Sequence, residues 1–320
     1  MTTRIIGTGS YLPKTVVTND DLAKIMDTSD EWIRTRTGIR ERHLVTEETT
    51  TSMCVEAAKR ALENANVAAE EIDLIIVGTV SGDDVTPSTA CRVQAEIGAM
   101  NAVAFDMNAA CAGFVFGLNT ANAYLTAGIY KTALVLGAET LSKIMDWNDR
   151  STCVLFGDGA GAAVVKADDT GLLAFEQGCD GSKWHVLACE GRRNNNPLVS
   201  NDTTLDYVHM DGQEVYKFAV STIPASIQRV LEKANMTTDD VTYYVLHQAN
   251  IRILQSVAKR LKVSEDKFPI CLDHCGNLSA ASIPVLLDEI NRKGMLKAGD
   301  KMILSGFGAG LTWGTVLLEW

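Results

Sequence analysis

Apolar residues fall along this chain in two kinds of run. Short uninterrupted ones, such as Leu74–Val77 and Ala133–Leu136, have the length and character of strands buried on both faces. Between them lie stretches with the 3.6-residue period of amphipathic helices. The clearest runs from Asn250 to Lys262, where Ile251, Leu254, Val257, Ala258 and Leu261 make one apolar stripe. Alternation of the two patterns predicts an α/β fold.

The pattern is written twice. Arg60–Asn66 (RALENAN) matches Arg229–Asn235 (RVLEKAN), 169 positions later. Each is followed by a linker with an acidic pair, Glu70-Glu71 or Asp239-Asp240, and then by an apolar strand, Ile72–Gly78 or Val241–His247. Ala133–Gly137 and Met302–Gly306 keep the same spacing of 169. Two glycine motifs, Gly157–Gly161 and Gly306–Gly310, lie only 149 apart, so the first half carries an insertion of 20 residues before its copy. Both precede β-rich runs, Ala162–Lys166 and Gly314–Leu318. The expected organisation is two copies of one α/β unit, about 1–170 and 171–320, packed as sheets covered and separated by helix layers, with a site at their junction. No low-complexity linker divides them, which predicts one rigid body.

Composition narrows the function class. With 46% hydrophobic and 22% charged residues, the 320-residue chain has an ordinary globular balance. No run of eighteen apolar residues predicts a membrane span, and the first residues lack a signal-peptide layout, so a cytoplasmic location is expected. Eight scattered cysteines then read as free thiols. Cys271-Leu-Asp-His274-Cys275 lacks a second ligand pair at zinc-site spacing, and no metal is expected. A net charge of −11 argues against nucleic acid as a partner and requires any anionic partner to meet a local basic patch.

The candidate chemistry centres on Cys111, in Asp106-Met-Asn-Ala-Ala-Cys-Ala-Gly113. The pattern places it at the start of a small-residue helix, where unpaired N–H groups and the helix dipole favour the thiolate nucleophile. By the 169-residue spacing its counterpart is Ala280, inside Gly276–Ser282, and His247 is the counterpart of Gly78 at a strand end. Cys111, His247 and Asn277 therefore all fall at strand-to-helix junctions that a pseudo-twofold packing can bring together. A cysteine with a base suggests acyl transfer through a thioester. A hydrolase would send water to that thioester. A condensing enzyme would send a carbanion, and would need neutral donors on an enolate oxygen, which His247 and Asn277 can supply. Gly306–Gly310 suits an oxyanion hole, since glycine allows close approach, although a tight hairpin turn fits the motif equally; its twin at Gly157–Gly161 reads as a turn only.

At these segments the chain resembles the β-ketoacyl-acyl-carrier-protein synthase III family, the initiating condensing enzymes of type II fatty-acid synthesis, with a thiolase fold. The matching stretches run nearly end to end: Ile6–Pro13, Thr28–Ile39, Asn108–Gly113, Leu155–Gly161, His247–Asn250, Gly276-Asn277 and Gly306–Gly314. The resemblance implies a five-layer αβαβα arrangement and a Cys111, His247, Asn277 triad, the asparagine standing where elongating enzymes carry a second histidine. It implies an oxyanion hole from the N–H groups of Cys111 and Gly308. It implies acyl transfer from acyl-coenzyme A to Cys111, then decarboxylative condensation with malonyl-acyl-carrier protein, in a homodimer and with no cofactor.

Substrate contacts follow on the same footing. Thr28–Glu31 reads as the cap of a short helix carrying Trp32 and Arg36 on one face. The resemblance makes Thr28, Trp32, Arg36 and Arg150 contacts of coenzyme A. Arg252, Lys259 and Arg260 lie off the stripe of the helix after His247, and with Lys217 form the expected basic site for the acidic carrier protein. The chain departs from acetyl-selective relatives at Thr86, where they tend to carry a phenylalanine donated across the dimer. The smaller side chain predicts branched or longer primers. The rivals are a same-fold acyltransferase of secondary metabolism, a cysteine hydrolase and a non-catalytic acyl-binding protein.

Overall fold

The computed structural model describes residues 2–204 and 206–320. Strand β1 (Thr2–Tyr11) leads into a ribbon of β2 (Thr15–Thr18) and β3 (Glu41–Leu44), with helices α1 (Asn19–Leu22) and α2 (Asp30–Thr37) between its arms. Then come α3 (Thr50–Ala65), β4 (Leu74–Gly78), α4 (Thr89–Ile97), β5 (Val103–Met107), α5 (Gly113–Thr126), β6 (Thr132–Thr140) and β7 (Asp158–Asp168). The rest comprises β8 (Leu172–Cys179), the ribbon β9 (Leu187–Ala188) and β10 (His209–Met210), α6 (Gly212–Lys233), β11 (Tyr243–Leu246), α7 (Ile251–Leu261), α8 (Leu272–Cys275), α9 (Ser282–Arg292), β12 (Lys301–Gly308) and β13 (Thr312–Glu319).

Two mixed sheets result. The first has the order β1-β7-β6-β4-β5 and the second β11-β12-β13-β8. Each has a parallel pair, β4 with β6 and β11 with β12, continued by an antiparallel strand on the β6 or β12 side, and in the first sheet β5 runs parallel to β4. The second order repeats β4-β6-β7-β1 of the first, and β5 alone has no partner copy. Every residue of β4 and β6 is buried, which is why their sequences show no polar alternation.

Alternation reappears in which core each side chain enters. Leu74 and Ile76 of β4 point to the layer of α5 and α9 between the sheets, while Ile75 and Val77 pack under α3 and α4 outside. In the second sheet Met302 and Leu304 join the central layer, and Ile303 packs beneath α6 and α7. The order is helix, sheet, helix, sheet, helix, the five-layer thiolase-like arrangement expected. No described helix is long and apolar enough to cross a membrane.

The duplication is visible in backbone detail. Asn66 and Asn235 both adopt the left-handed conformation after a helix, with φ of 51° and 53°. Ala110 and Ser279 do so as well, at 45° and 50°, and each opens a one-turn 3₁₀ segment, Ala110–Ala112 or Ser279–Ala281, before the central helices. The contacts between copies are reciprocal. A Cβ on Gly137 would lie 2.1 Å from the carbonyl oxygen of Ala280, and one on Gly306 would lie 3.0 Å from Cα of Ala112. Only glycine in the neighbouring strand lets the two turns sit this deep.

Candidate active site

Cys111 occupies the first of those turns, two residues ahead of α5 rather than on its first turn, and is buried. This corrects the expectation of a thiol favoured as thiolate. Burial pushes the Cys111 thiol up to about 12, and the nearby Glu139 carboxylate adds to the rise. A hydrogen bond from Ser279 and one from the backbone oppose it without overcoming it.

His247 follows β11, and its N–H continues the ladder to Ser305 O at 2.9 Å. Its ring stands edge-on to Phe307, with centroids 5.1 Å apart and planes at 74°. Burial alone lowers its pKa to about 3, so the imidazole is neutral, and Nδ1 is enclosed without a hydrogen-bond partner among the described residues.

Asn277 is fixed on three sides. Its N–H donates to Leu155 O at 2.8 Å, its carbonyl accepts from Gly157 N at 3.0 Å, and its Oδ1 accepts from Ser279 N at 2.9 Å. The last bond sets the side-chain amide so that Nδ2 is the end left for a ligand. Gly157–Gly161 is therefore not only a turn. It begins β7, and a Cβ on Gly157 would lie 2.4 Å from Cys275 O, so glycine there admits the segment that carries Asn277.

Gly308 ends β12, where the hairpin to β13 begins, so the turn reading of Gly306–Gly310 holds. A Cβ on Gly308 would lie 2.8 Å from Cβ and 3.0 Å from Sγ of Cys111. Cys111, His247, Asn277, Phe307 and Gly308 line one small cavity of about 130 Å³. Cys111 also opens onto a second, mostly apolar cavity of about 460 Å³ with Val80, Leu141, Ile144, Met145 and Phe156. The sulfur thus sits where the chamber holding His247 and Asn277 meets a space large enough for an acyl chain.

The outlying residues divide. Arg36 and Arg150 both reach the face of Trp32, at 4.6 and 5.1 Å from the ring centroid, although Arg150 comes from the inserted segment after β6. The helix cap is Ser29, inside the expected Thr28–Glu31 segment, and its Oγ accepts from Trp32 N at 3.1 Å. Thr28 instead buries its hydroxyl without a partner. Arg252 donates to Thr35 O at 2.9 Å, tying α7 to the end of α2. Lys259 and Arg260 are exposed on α7, and Lys217 is exposed on α6 in an ion pair with Glu214 at 2.7 Å. A Tyr216–Ser256 hydroxyl contact of 2.8 Å joins those two helices. The buried stripe of α7 includes Ile253, which the period count left out, while Ile251 is half-buried. Thr86 is exposed in the loop before α4 and lines neither cavity of its own chain.

Sequence reasoning missed Ser279 and Glu139. Glu139 is fully buried next to the end of β6, and as the lone charged residue of that strand it was the available signal. All eight cysteines are unpaired, and among the described residues no cluster of three His, Cys, Asp or Glu side chains is placed to hold a metal.

Comparison with known proteins places the chain in a family. The family model for 3-oxoacyl-[acyl-carrier-protein] synthase III matches residues 105–181, and that for its C-terminal part matches residues 231–320. The chain is 52% identical to a β-ketoacyl-[acyl-carrier-protein] synthase III of Clostridium acetobutylicum, over 99% of this chain and 98% of that one. Among solved structures, the 3-oxoacyl-[acyl-carrier-protein] synthase III of Aquifex aeolicus is 46% identical with a TM-score of 0.93, covering 99% of this chain and 100% of that one. The priming β-ketosynthase of the R1128 polyketide pathway is 37% identical with a TM-score of 0.92, covering 99% and 96%.

Proposed function

From the premise that the chain belongs to the 3-oxoacyl-[acyl-carrier-protein] synthase III family, the acyltransferases that initiate fatty-acid synthesis, we propose how its own residues carry the reaction. Cys111 attacks the thioester of an acyl-coenzyme A, and the coenzyme leaves as its thiol. The N–H groups of Cys111 and Gly308 hold the oxyanion. Malonyl-acyl-carrier protein then enters, and its thioester carbonyl accepts from His247 Nε2 and Asn277 Nδ2. Carbon dioxide departs, and its bonding electron pair passes into an enolate held by those two donors. The enolate carbon attacks the Cys111 thioester, a carbon–carbon bond forms, and the thiolate is expelled with release of 3-ketoacyl-acyl-carrier protein.

The observation that carries this reading is the single cavity shared by Cys111, His247, Asn277 and Gly308. His247 is neutral, and with Nδ1 sealed away, the tautomer with its proton on Nε2 puts the donor where substrate can use it. Asn277 cannot serve as a base, which suits an enolate and disfavours hydrolysis. In this reading 1–170 supplies the nucleophile and 171–320 the two donors.

Coenzyme A is assigned to the Trp32, Arg36 and Arg150 cluster with Thr28 beside it, since a flat aromatic ring flanked by guanidinium groups suits adenine and phosphates. The acidic carrier protein is assigned to Arg252, Lys259, Arg260 and Lys217, because a chain of net charge −11 needs such a local patch. A homodimer is supported by the free edge of β5 together with exposed Val85, Met100 and Val103 around it. A partner chain across that edge would bring Thr86 to the acyl cavity, and its small side chain favours branched or longer primers. The reaction needs no cofactor, and the expected location is the cytoplasm.

Intact-mass analysis with a series of acyl-coenzyme A thioesters tests the scheme. The expected result is one adduct, on Cys111, discharged by malonyl-acyl-carrier protein with release of carbon dioxide. Turnover of acetyl-coenzyme A equal to or better than that of every C4 to C8 primer contradicts the Thr86 reading. Likeness to the R1128 priming enzyme favours a second reading, the priming of a secondary metabolite. That reading predicts that the carrier protein of fatty-acid synthesis leaves the acyl-enzyme undischarged.

A further inference from the structure

Cys111 must lose a proton before or as it attacks, and neither neighbour considered so far can take it. Asn277 has no basic atom. His247 is held neutral by burial and binds a proton only near pH 3. The nearest acid that faces the sulfur is Glu139, which is fully buried.

The two carboxylate oxygens of Glu139 are not alike. Oε2 accepts from Ser81 Oγ at 2.5 Å, Val80 N at 3.1 Å and Thr79 Oγ1 at 3.4 Å. Oε1 has one partner, the Ser279 hydroxyl at 3.1 Å. Ser279 and Cys111 line the larger cavity together, close enough for the serine hydroxyl to favour the thiolate. A hydroxyl has one proton, so Ser279 donates either to Glu139 or to Cys111. A proton added to Glu139 belongs on Oε1, because Oε2 already has three donors.

We propose that Glu139 takes up, through the Ser279 hydroxyl, the proton that Cys111 gives up when it attacks the acyl donor. The thiol proton passes to Ser279 Oγ as the serine proton passes to Glu139 Oε1. The thiolate's electron pair forms the bond to the acyl carbon, the acyl–sulfur bond of the donor breaks, and the departing coenzyme thiolate takes back the proton held on Glu139 to leave as its thiol. One negative charge is present in the buried pair before and after the shift, so no second charge is placed in the apolar interior. Glu139 acts through Ser279 and is a positioning and proton-holding residue. This inference rests on Cys111 as nucleophile.

The surroundings suit the role. Burial raises Glu139 to about 7, against the pull of its hydrogen bonds, so it exchanges protons in the neutral range. From the packed elements it faces Cys54 of α3, Cys111, and the exposed Lys143 after β6. Asp83, Asp84 and Asp158 act on Lys143 in turn and share its charge. Ser279 holds its place through a left-handed backbone, and its N–H on Asn277 Oδ1 ties the relay to the donor on the other side of the chamber.

The test is the rate of Cys111 modification against pH, read on the Cys111 peptide by mass, for acyl-coenzyme A and separately for iodoacetamide. Wild type is expected to rise to a plateau with a midpoint near pH 7, as Glu139 loses its proton. Glu139→Gln is expected to lose that midpoint and to react about a hundredfold more slowly at pH 8, the scale of a lost proton acceptor. Glu139→Asp should keep the midpoint. A mere neighbouring charge gives the opposite sign, since removing a carboxylate makes the thiolate easier to form. Glu139→Gln reacting as fast as wild type, or faster, overturns the proposal. Should that variant fail to fold, Ser279→Ala breaks the same link and must show the same loss, and a wild-type profile from it overturns the proposal equally. Iodoacetamide needs no substrate site, so the absence of acyl transfer in wild type would count against the proposed function and not against the relay.

Discussion

A methyl group added at Gly308 is the sharpest probe of the chamber. The glycine has no positive φ, so alanine meets no backbone strain there and the effect comes from contact alone. The new carbon would stand 2.8 Å from Cβ, 3.0 Å from N and 3.0 Å from Sγ of Cys111. Comfortable separations are about 3.5–4.0 Å, so the strand end and the cysteine turn must part by roughly 0.5–1 Å. Both N–H groups of the proposed oxyanion hole lie on the two pieces that separate. Loss of one such donor costs about 10²–10³ in rate, or about 2.7–4 kcal/mol, and a displacement near 1 Å alone costs about 10²-fold. G308A is therefore expected to acylate Cys111 at least about a hundredfold more slowly, measured by quenched-flow intact mass. Overpacking also lowers stability by about 1–3 kcal/mol, visible in the melt. G181A serves as a control, because a Cβ there meets nothing within 4 Å. A G308A protein that melts lower yet acylates within about threefold of wild type would refute the reasoning, since the clash would then be relieved without moving the donors.

Three other outcomes follow from the same geometry. H247A and N277A should each keep acylation of Cys111 within a few-fold while slowing carbon dioxide release from malonyl-acyl-carrier protein by about 10²–10³, read by trapped carbon dioxide; equal losses in both steps would undo the division of roles. W32A should raise KM for acyl-coenzyme A and leave acylation by a short thioester lacking the nucleotide unchanged, because the Arg36 and Arg150 contacts on the ring lie outside the chamber. His247 sets a pH dependence. Its folded pKa of about 3 lies below the 6.5 of the unfolded chain, so below pH 6.5 the unfolded state gains a proton that the folded state does not. Stability should fall as pH drops from 6.5 toward 3, and more steeply in wild type than in H247Q; equal slopes in denaturant melts would contradict the burial argument.

Much of the fold was legible because its physics is local. Strands buried on both faces need unbroken apolar runs, and Leu74–Val77 and Ala133–Leu136 have them. The repeat at 169 positions survives because two copies meeting across a pseudo-twofold make the same contacts, and those contacts need the same small residues, as at Gly137 and Gly306. The cap was legible only to within Thr28–Glu31 because Thr28 and Ser29 offer equivalent hydroxyls, and only the backbone path decides which one reaches Trp32 N. Gly157 was undervalued because its partner, the backbone around Asn277, is distant in sequence.

The amino-acid order by itself determined the element types, their duplication, and the reactive groups Cys111, His247 and Asn277. Burial was left to the tertiary structure. Enclosure, not the helix end, governs the thiol at Cys111. It also keeps His247 neutral, and it converts Glu139 from an ordinary acid into one that titrates near 7. Proton affinity depends on how much water and charge surround a group in three dimensions, and a linear pattern carries no measure of either.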